Sequence, residues 1–94
     1  MRVSVRLFTT LRELVGKRRV ELQLPNGATV QTLLDRLSEL YGHSFTSYIY
    51  DEEGKLRNYL QLLLNGENIR NLGGLQTRLK EGDTLIILPP AGGG

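Results

Sequence analysis

The chain has 94 residues, with 12 Lys and Arg against 10 Asp and Glu and a formal net charge of +2. That length fits one domain, and the charge excess is too small to demand nucleic acid or a membrane surface as partner. There is no cysteine and one histidine, His43, which excludes a disulfide scaffold, a thiolate zinc site, a cysteine nucleophile, a redox dithiol and a multi-histidine metal centre. No apolar run approaches the ~18 residues of a membrane span, and no signal-peptide core follows Met1, so a soluble cytoplasmic protein is expected. With no tryptophan, four tyrosines and two phenylalanines, the core has to be aliphatic, and little volume is left for a deep pocket.

Val3, Val5 and Leu7 alternate with Arg2, Ser4 and Arg6, the period of a half-buried strand. Thr10-Leu11-Arg12-Glu13 has the spacing of a capping box and, with Leu14-Val15-Gly16, predicts a short helical turn ended by glycine. Val20, Leu22 and Leu24 alternate with Glu21 and Gln23, giving a second strand antiparallel to the first. Pro25-Asn26-Gly27-Ala28 is a turn cluster. Thr29 is the expected N-cap of an amphipathic helix in which Val30, Leu33, Leu34, Leu37, Leu40 and Tyr41 recur at helical spacing until Gly42.

Residues 43–57 carry the weakest pattern; Phe45, Tyr48, Ile49 and Leu56 are expected against the edge of the core. Residues 58–64 form a third strand, Asn65-Gly66 is a strong hairpin signal, and a brief return strand runs to Ile69. Lys80-Glu81-Gly82-Asp83 is a turn before a fully apolar last strand, Leu85 to Leu88. One helix covers one face of a sheet this size, so the elements predict a two-layer α+β domain. The last strand is placed beside the first and parallel to it, by a right-handed crossover through the helix. That arrangement is a β-grasp, or ubiquitin-like, fold: a mixed sheet of four to five strands on one main helix. The domain is expected over 1–88, with an extended, flexible tail over 89–94.

The tail is the informative feature. Gly92-Gly93-Gly94 has no side chain to pack, and alone it is either a frayed end or a thread. Pro89-Pro90 stiffens the exit from the last strand, and the six residues 89–94 can reach ~20 Å. A stiff stalk ending in such a thread enters a channel where any Cβ would clash, and the reactive group is then the Gly94 carboxylate.

The segment Leu7-Phe8-Thr9-Thr10-Leu11-Arg12-Glu13-Leu14-Val15-Gly16, the Asn65-Gly66 hairpin, and the run from Gly82-Asp83 through Leu88-Pro89-Pro90 to Gly93-Gly94 together resemble the MoaD/ThiS sulfur-carrier family, most closely its molybdopterin synthase small-subunit branch. The resemblance covers the whole chain. It implies that a ubiquitin-activating-type adenylating enzyme (MoeB/ThiF-like), using ATP and Mg, adenylates the Gly94 carboxylate. Sulfur then replaces AMP to give a thiocarboxylate, and the terminus delivers it inside a molybdopterin synthase large subunit (MoaE-like). The chain would bind no cofactor of its own and would be a carrier, not an enzyme. Other fates of the same terminus are conjugation to lysines as a protein modifier and sulfur delivery to thiamin or to tRNA. A plain interaction module with a frayed tail is the reading from another class.

Alternation also predicts a docking face. With Val3, Val5 and Leu7 inward, Phe8 points outward; Leu63 shares the outer side with Gln61, and Ile86 and Leu88 face outward from the last strand. An exposed apolar patch beside a reactive tail marks a partner site; the alternative is a second small core beneath residues 43–57. Lys17-Arg18-Arg19 has no interleaved aromatic and is expected to be a solvated loop rather than an RNA contact. Asp51-Glu52-Glu53 is expected as an exposed turn, and His43 is expected against the last helical carbonyls. No metal site is expected.

Overall fold

In the computed structural model, which describes residues 1–90, the chain forms β1 (Arg2–Leu7), α1 (Thr9–Val15), β2 (Arg19–Gln23), α2 (Val30–Tyr41), α3 (His43–Ile49), β3 (Gln61–Leu64), β4 (Glu67–Asn68) and β5 (Thr84–Leu88), with 3-10 turns at Ile69–Asn71 and Gly74–Gln76. The sheet order is β2-β1-β5-β3-β4. β1 is antiparallel to β2 and parallel to β5, and β3 is antiparallel to both β5 and β4. The first and last strands therefore lie side by side as the pattern predicts, and this mixed sheet with helices packed on its inner face is the β-grasp.

Val3, Val5 and Leu7 of β1, Leu62 and Leu64 of β3 and Leu85 and Ile87 of β5 are buried beneath Val30, Leu33, Leu34 and Leu37 of α2 in one cluster. Thr29 caps α2 through a reciprocal pair: the Thr32 amide donates to its hydroxyl at 3.3 Å and its own amide donates to the Thr32 hydroxyl at 3.0 Å. Asn65 (φ 49) and Gly66 (φ 89) both occupy the left-handed region, as a two-residue hairpin with the strand-matching twist requires.

Several expectations are corrected. Thr10 does not cap α1. The helix begins at Thr9, its N-cap is Phe8 with no side-chain cap hydrogen bond, and the Thr10 hydroxyl pairs with Tyr48 instead. The chain enters the third strand only at Gln61, because residues 57–60 turn, with the Leu60 amide donating to the Arg57 carbonyl at 3.2 Å. The return strand is two residues long and passes into a 3-10 turn at Ile69. Residues 43–49 form a helix, α3, whose Phe45 and Ile49 are fully buried in the same cluster as α2, so there is no second core beneath this segment. His43 is the first residue of α3, directly after the Gly42 that ends α2. The Ser38 carbonyl is taken by the Gly42 amide at 2.8 Å.

Candidate functional site

The strand registers align the outer-face residues in rows. Arg6 stands opposite Arg19 on β2 and opposite Ile86 on β5, Ile86 stands opposite Leu63, and Leu63 opposite Asn68. One row thus crosses all five strands: Arg19, Arg6, Ile86, Leu63, Asn68. The next row begins where Leu7 pairs with Ile87, which puts the following residues, Phe8 and Leu88, at the same end of the sheet. Leu88 stands opposite Gln61. Phe8, Leu63, Ile86 and Leu88 are each half-buried, and none belongs to the core cluster. The face is therefore a shallow apolar patch rather than a core layer.

Phe8 is framed by two guanidinium groups that sequence reading missed as a unit. Arg6 lies 5.7 Å and Arg12 5.6 Å from the centre of its ring, within cation–π range. Arg6 shares the outer face two residues earlier, and Arg12 returns to the ring four residues later through the first turn of α1. The spacing held this signal; the turn between strand and helix did not declare itself. Thr9 makes that turn at φ 44, a conformation that costs a β-branched residue of order 1–3 kcal/mol. Arg12 Nε is buried without a hydrogen-bond partner. Behind α1, burial pushes the Tyr48 hydroxyl above its ordinary value, opposed by its hydrogen bond with Thr10.

Pro89 and Pro90 follow β5 directly and are half-buried, at the end of the sheet that carries Phe8 and Leu88. Gly92, Gly93 and Gly94 lie outside the described residues. An open groove of about 670 Å³ lies between α2, α3 and the 51–57 loop, lined in part by Gln31, His43, Tyr50, Asp51 and Arg57. It belongs to the helical side of the sheet, away from the outer face. Asp51 accepts hydrogen bonds from the amides of Lys55 and Glu53, both at 2.9 Å, which hold its carboxyl below the ordinary range. Among the described residues no group of His, Cys, Asp and Glu is arranged to hold a metal ion, and no helix is long and apolar enough to cross a membrane.

Sheet order, the helices on one face and the tail exit at the end of β5 define a ubiquitin-like β-grasp domain. Residues 5–94 match the ThiS family. Small archaeal modifier protein 3 of Haloferax volcanii is 32% identical over 94 residues, spanning all of both chains. The molybdopterin synthase sulfur carrier subunit of Drosophila melanogaster is 36% identical over 92 residues, covering 98% of this chain and 90% of that one. In the crystal structure of the Amycolatopsis orientalis BexX/CysO complex, a chain superposes with a TM-score of 0.80 at 34% identity, covering 98% of this chain and 99% of that one. The chain belongs to the ThiS family of ubiquitin-like sulfur carriers.

Proposed function

We propose that this chain carries sulfur on its C-terminal glycine for molybdopterin assembly, acting as co-substrate and small subunit of the synthase without a catalytic centre of its own. The observation that supports this reading best is the coincidence of tail and patch. Pro89-Pro90 leaves the sheet beside Phe8 and Leu88, so a partner that grips the outer face receives the tail in a fixed direction. Phe8, Leu63, Ile86 and Leu88 are the docking residues of this reading. Pro89, Pro90, Gly92 and Gly93 are its threading segment.

The chemistry starts at the Gly94 carboxylate, which is a poor acyl donor. An adenylating partner of the MoeB/ThiF type, with its own ATP and Mg, joins a carboxylate oxygen to the α-phosphorus and releases pyrophosphate. A sulfide-level sulfur nucleophile then forms the C–S bond and expels AMP, leaving a thiocarboxylate. A MoaE-like large subunit accepts the threaded terminus; the thiocarboxylate sulfur bonds to a carbon of a pterin precursor, and water then cleaves the acyl C–S bond, leaving the sulfur on the pterin and restoring the Gly94 carboxylate. The lack of any cysteine leaves the activated terminus without an internal thiol to intercept it. A cytoplasmic setting, where ATP is available, suits this chemistry.

Similarity to the Drosophila subunit favours the pterin acceptor. Full-length similarity to an archaeal modifier protein favours a second reading, in which the same adenylate is passed to lysines of other proteins. The test is ATP–pyrophosphate exchange with the cognate adenylating enzyme, followed by intact-mass measurement after sulfur loading. Exchange, and replacement of one oxygen by sulfur at the terminus, are expected for the full chain, and both are expected to be lost on deletion of Gly94 or in Gly93→Leu. Undiminished exchange in those variants overturns the carrier reading. Lysine adducts on many proteins, with no pterin product, select the modifier reading.

A further inference from the structure

We propose that the outer sheet face is built for a partner surface that presents carboxylates around an apolar pocket, with Arg6 and Arg19 as the cations those carboxylates neutralise. The inference rests on the carrier reading only for the enzyme used as probe.

The starting observation is a local conflict. Arg6 of β1 and Arg19 of β2 are direct cross-strand partners, and like charges placed directly opposite destabilise a sheet. Both side chains are exposed. The ion pairs among the described residues are Arg2 with Glu21 at 3.5 Å and Arg36 with Glu39 at 3.9 Å, and neither relieves this pair. The two guanidinium groups diverge along the strands instead. Arg19 Nη2 donates to Ser4 Oγ at 2.9 Å, while Arg6 turns the other way, onto the ring of Phe8. Arg12 lies over the same ring at 5.6 Å. A sequence normally avoids such a pairing, and places where a local rule is broken without internal compensation are places to look for function.

The row beyond Arg6 decides the kind of partner. It continues into Ile86 and Leu63, both half-buried, and Phe8 and Leu88 lie alongside. A phosphodiester backbone would neutralise the arginines and leave this apolar strip uncovered. A protein surface with an apolar pocket rimmed by Asp and Glu covers the strip and answers both charges. Such rim charges steer encounter and make association salt-dependent.

The test is calorimetric titration of the full chain into its cognate adenylating enzyme at low and moderate salt. Arg6→Glu and Arg19→Glu are compared with Arg36→Glu on α2 as control, and pyrophosphate exchange is run in parallel. Each sheet variant should weaken binding by about tenfold and flatten its salt dependence, while the control stays at the wild-type affinity. Arg6→Glu places opposite charges across from each other while giving up the contact with Phe8, two effects of similar size and opposite sign, so its unfolding midpoint should change little while its affinity falls, which a purely structural role would not produce. Unchanged affinity in both sheet variants, salt-independent binding by the wild type, or no binding at all overturns the proposal. Salt-dependent binding weakened in the two variants but without exchange upholds this face and removes the carrier reading. Normal exchange with unaltered affinity in the variants does the reverse. Tighter binding of a poly-U RNA probe than of the enzyme, lost in the same two variants, also overturns the proposal.

Discussion

Asn65 and Asp83, 18 positions apart in the chain, are joined side chain to side chain: the Asn65 amide donates to Asp83 Oδ1 at 2.8 Å. The other Asp83 oxygen accepts the Lys80 amide at 2.8 Å, and the Asn65 side-chain oxygen, Oδ1, accepts the Thr84 amide at 2.9 Å. The backbone carbonyl of Asp83 accepts the Ser4 amide at 2.9 Å. The hairpin between β3 and β4, the turn into β5 and the start of β1 are thereby locked together. That lock fixes where β5 begins, and so where its far end meets Pro89-Pro90, at the end of the sheet that carries Phe8.

Asp83 is only 5% exposed, so removing its carboxylate leaves the Asn65 side chain and the Lys80 amide without their acceptor. Asp83→Ala should cost about 1–3 kcal/mol. Asp83→Asn, which keeps one acceptor oxygen, should cost less. Urea unfolding of both variants, with Asn65→Ala and the double variant completing a cycle, measures this. Because the two residues share one network, the single losses should sum to more than the loss in the double variant. Additive losses would show that the two side chains act independently.

Strands β1, β2 and β5 and helix α2 were legible in the sequence because each carries its period over enough residues to bury one face. Helix α3 was not. His43–Ile49 contains only Phe45 and Ile49 as fully buried apolar residues, and Ser44, Thr46 and Ser47 are weak helix formers. Gly42 looks like a stop, and the new helix starts immediately after it. Packing, not propensity, makes this turn. Phe45→Ala should therefore cost about 3–5 kcal/mol and selectively remove the amide-exchange protection of residues 43–49. A change under 1 kcal/mol, in the range of surface substitutions, would mean that α3 is not part of the core. The Arg6–Arg19 opposition was hidden for another reason: alternation assigns faces, while register depends on the length and geometry of the connection through α1.

Asp51 supplies the pH-dependent element. The amides of Lys55, first, and Glu53 stabilise its ionised form. The folded-state pKa lies below the unfolded one, so the contribution is present above the ordinary aspartate range and is lost as pH falls through the folded value. The amide proton shifts of Glu53 and Lys55 should titrate together, with a midpoint below 3.8, the ordinary value for this group. In Asp51→Ala that titration should vanish while the unfolding midpoint at neutral pH falls only slightly, because Asp51 is still partly exposed and water can replace the acceptor lost to the two amides. A midpoint at the ordinary value or above would remove the proposed role of the two amides.

Phe8 and Leu88 test whether the outer face serves binding or folding. Both are half-buried, whereas Leu37 is fully buried. Leu37→Ala should lose about 2–5 kcal/mol of stability. Leu88→Ala should lose well under that, because much of its apolar area already faces water. Phe8→Ala should also release the two guanidinium groups that flank the ring, a cation–π contribution of about 0.5–1 kcal/mol each at an exposed site, so its stability loss should lie between the other two. For association with the adenylating enzyme the order should reverse: Phe8→Ala and Leu88→Ala each weaken binding by about 1–3 kcal/mol, as buried anchors do. Leu37→Ala binds normally as long as it remains folded. Urea unfolding and calorimetric binding on the same three proteins separate the two roles. A folding loss at Phe8 equal to that at Leu37, with binding intact, would make the ring a structural cap on α1 and leave the outer face without its central anchor.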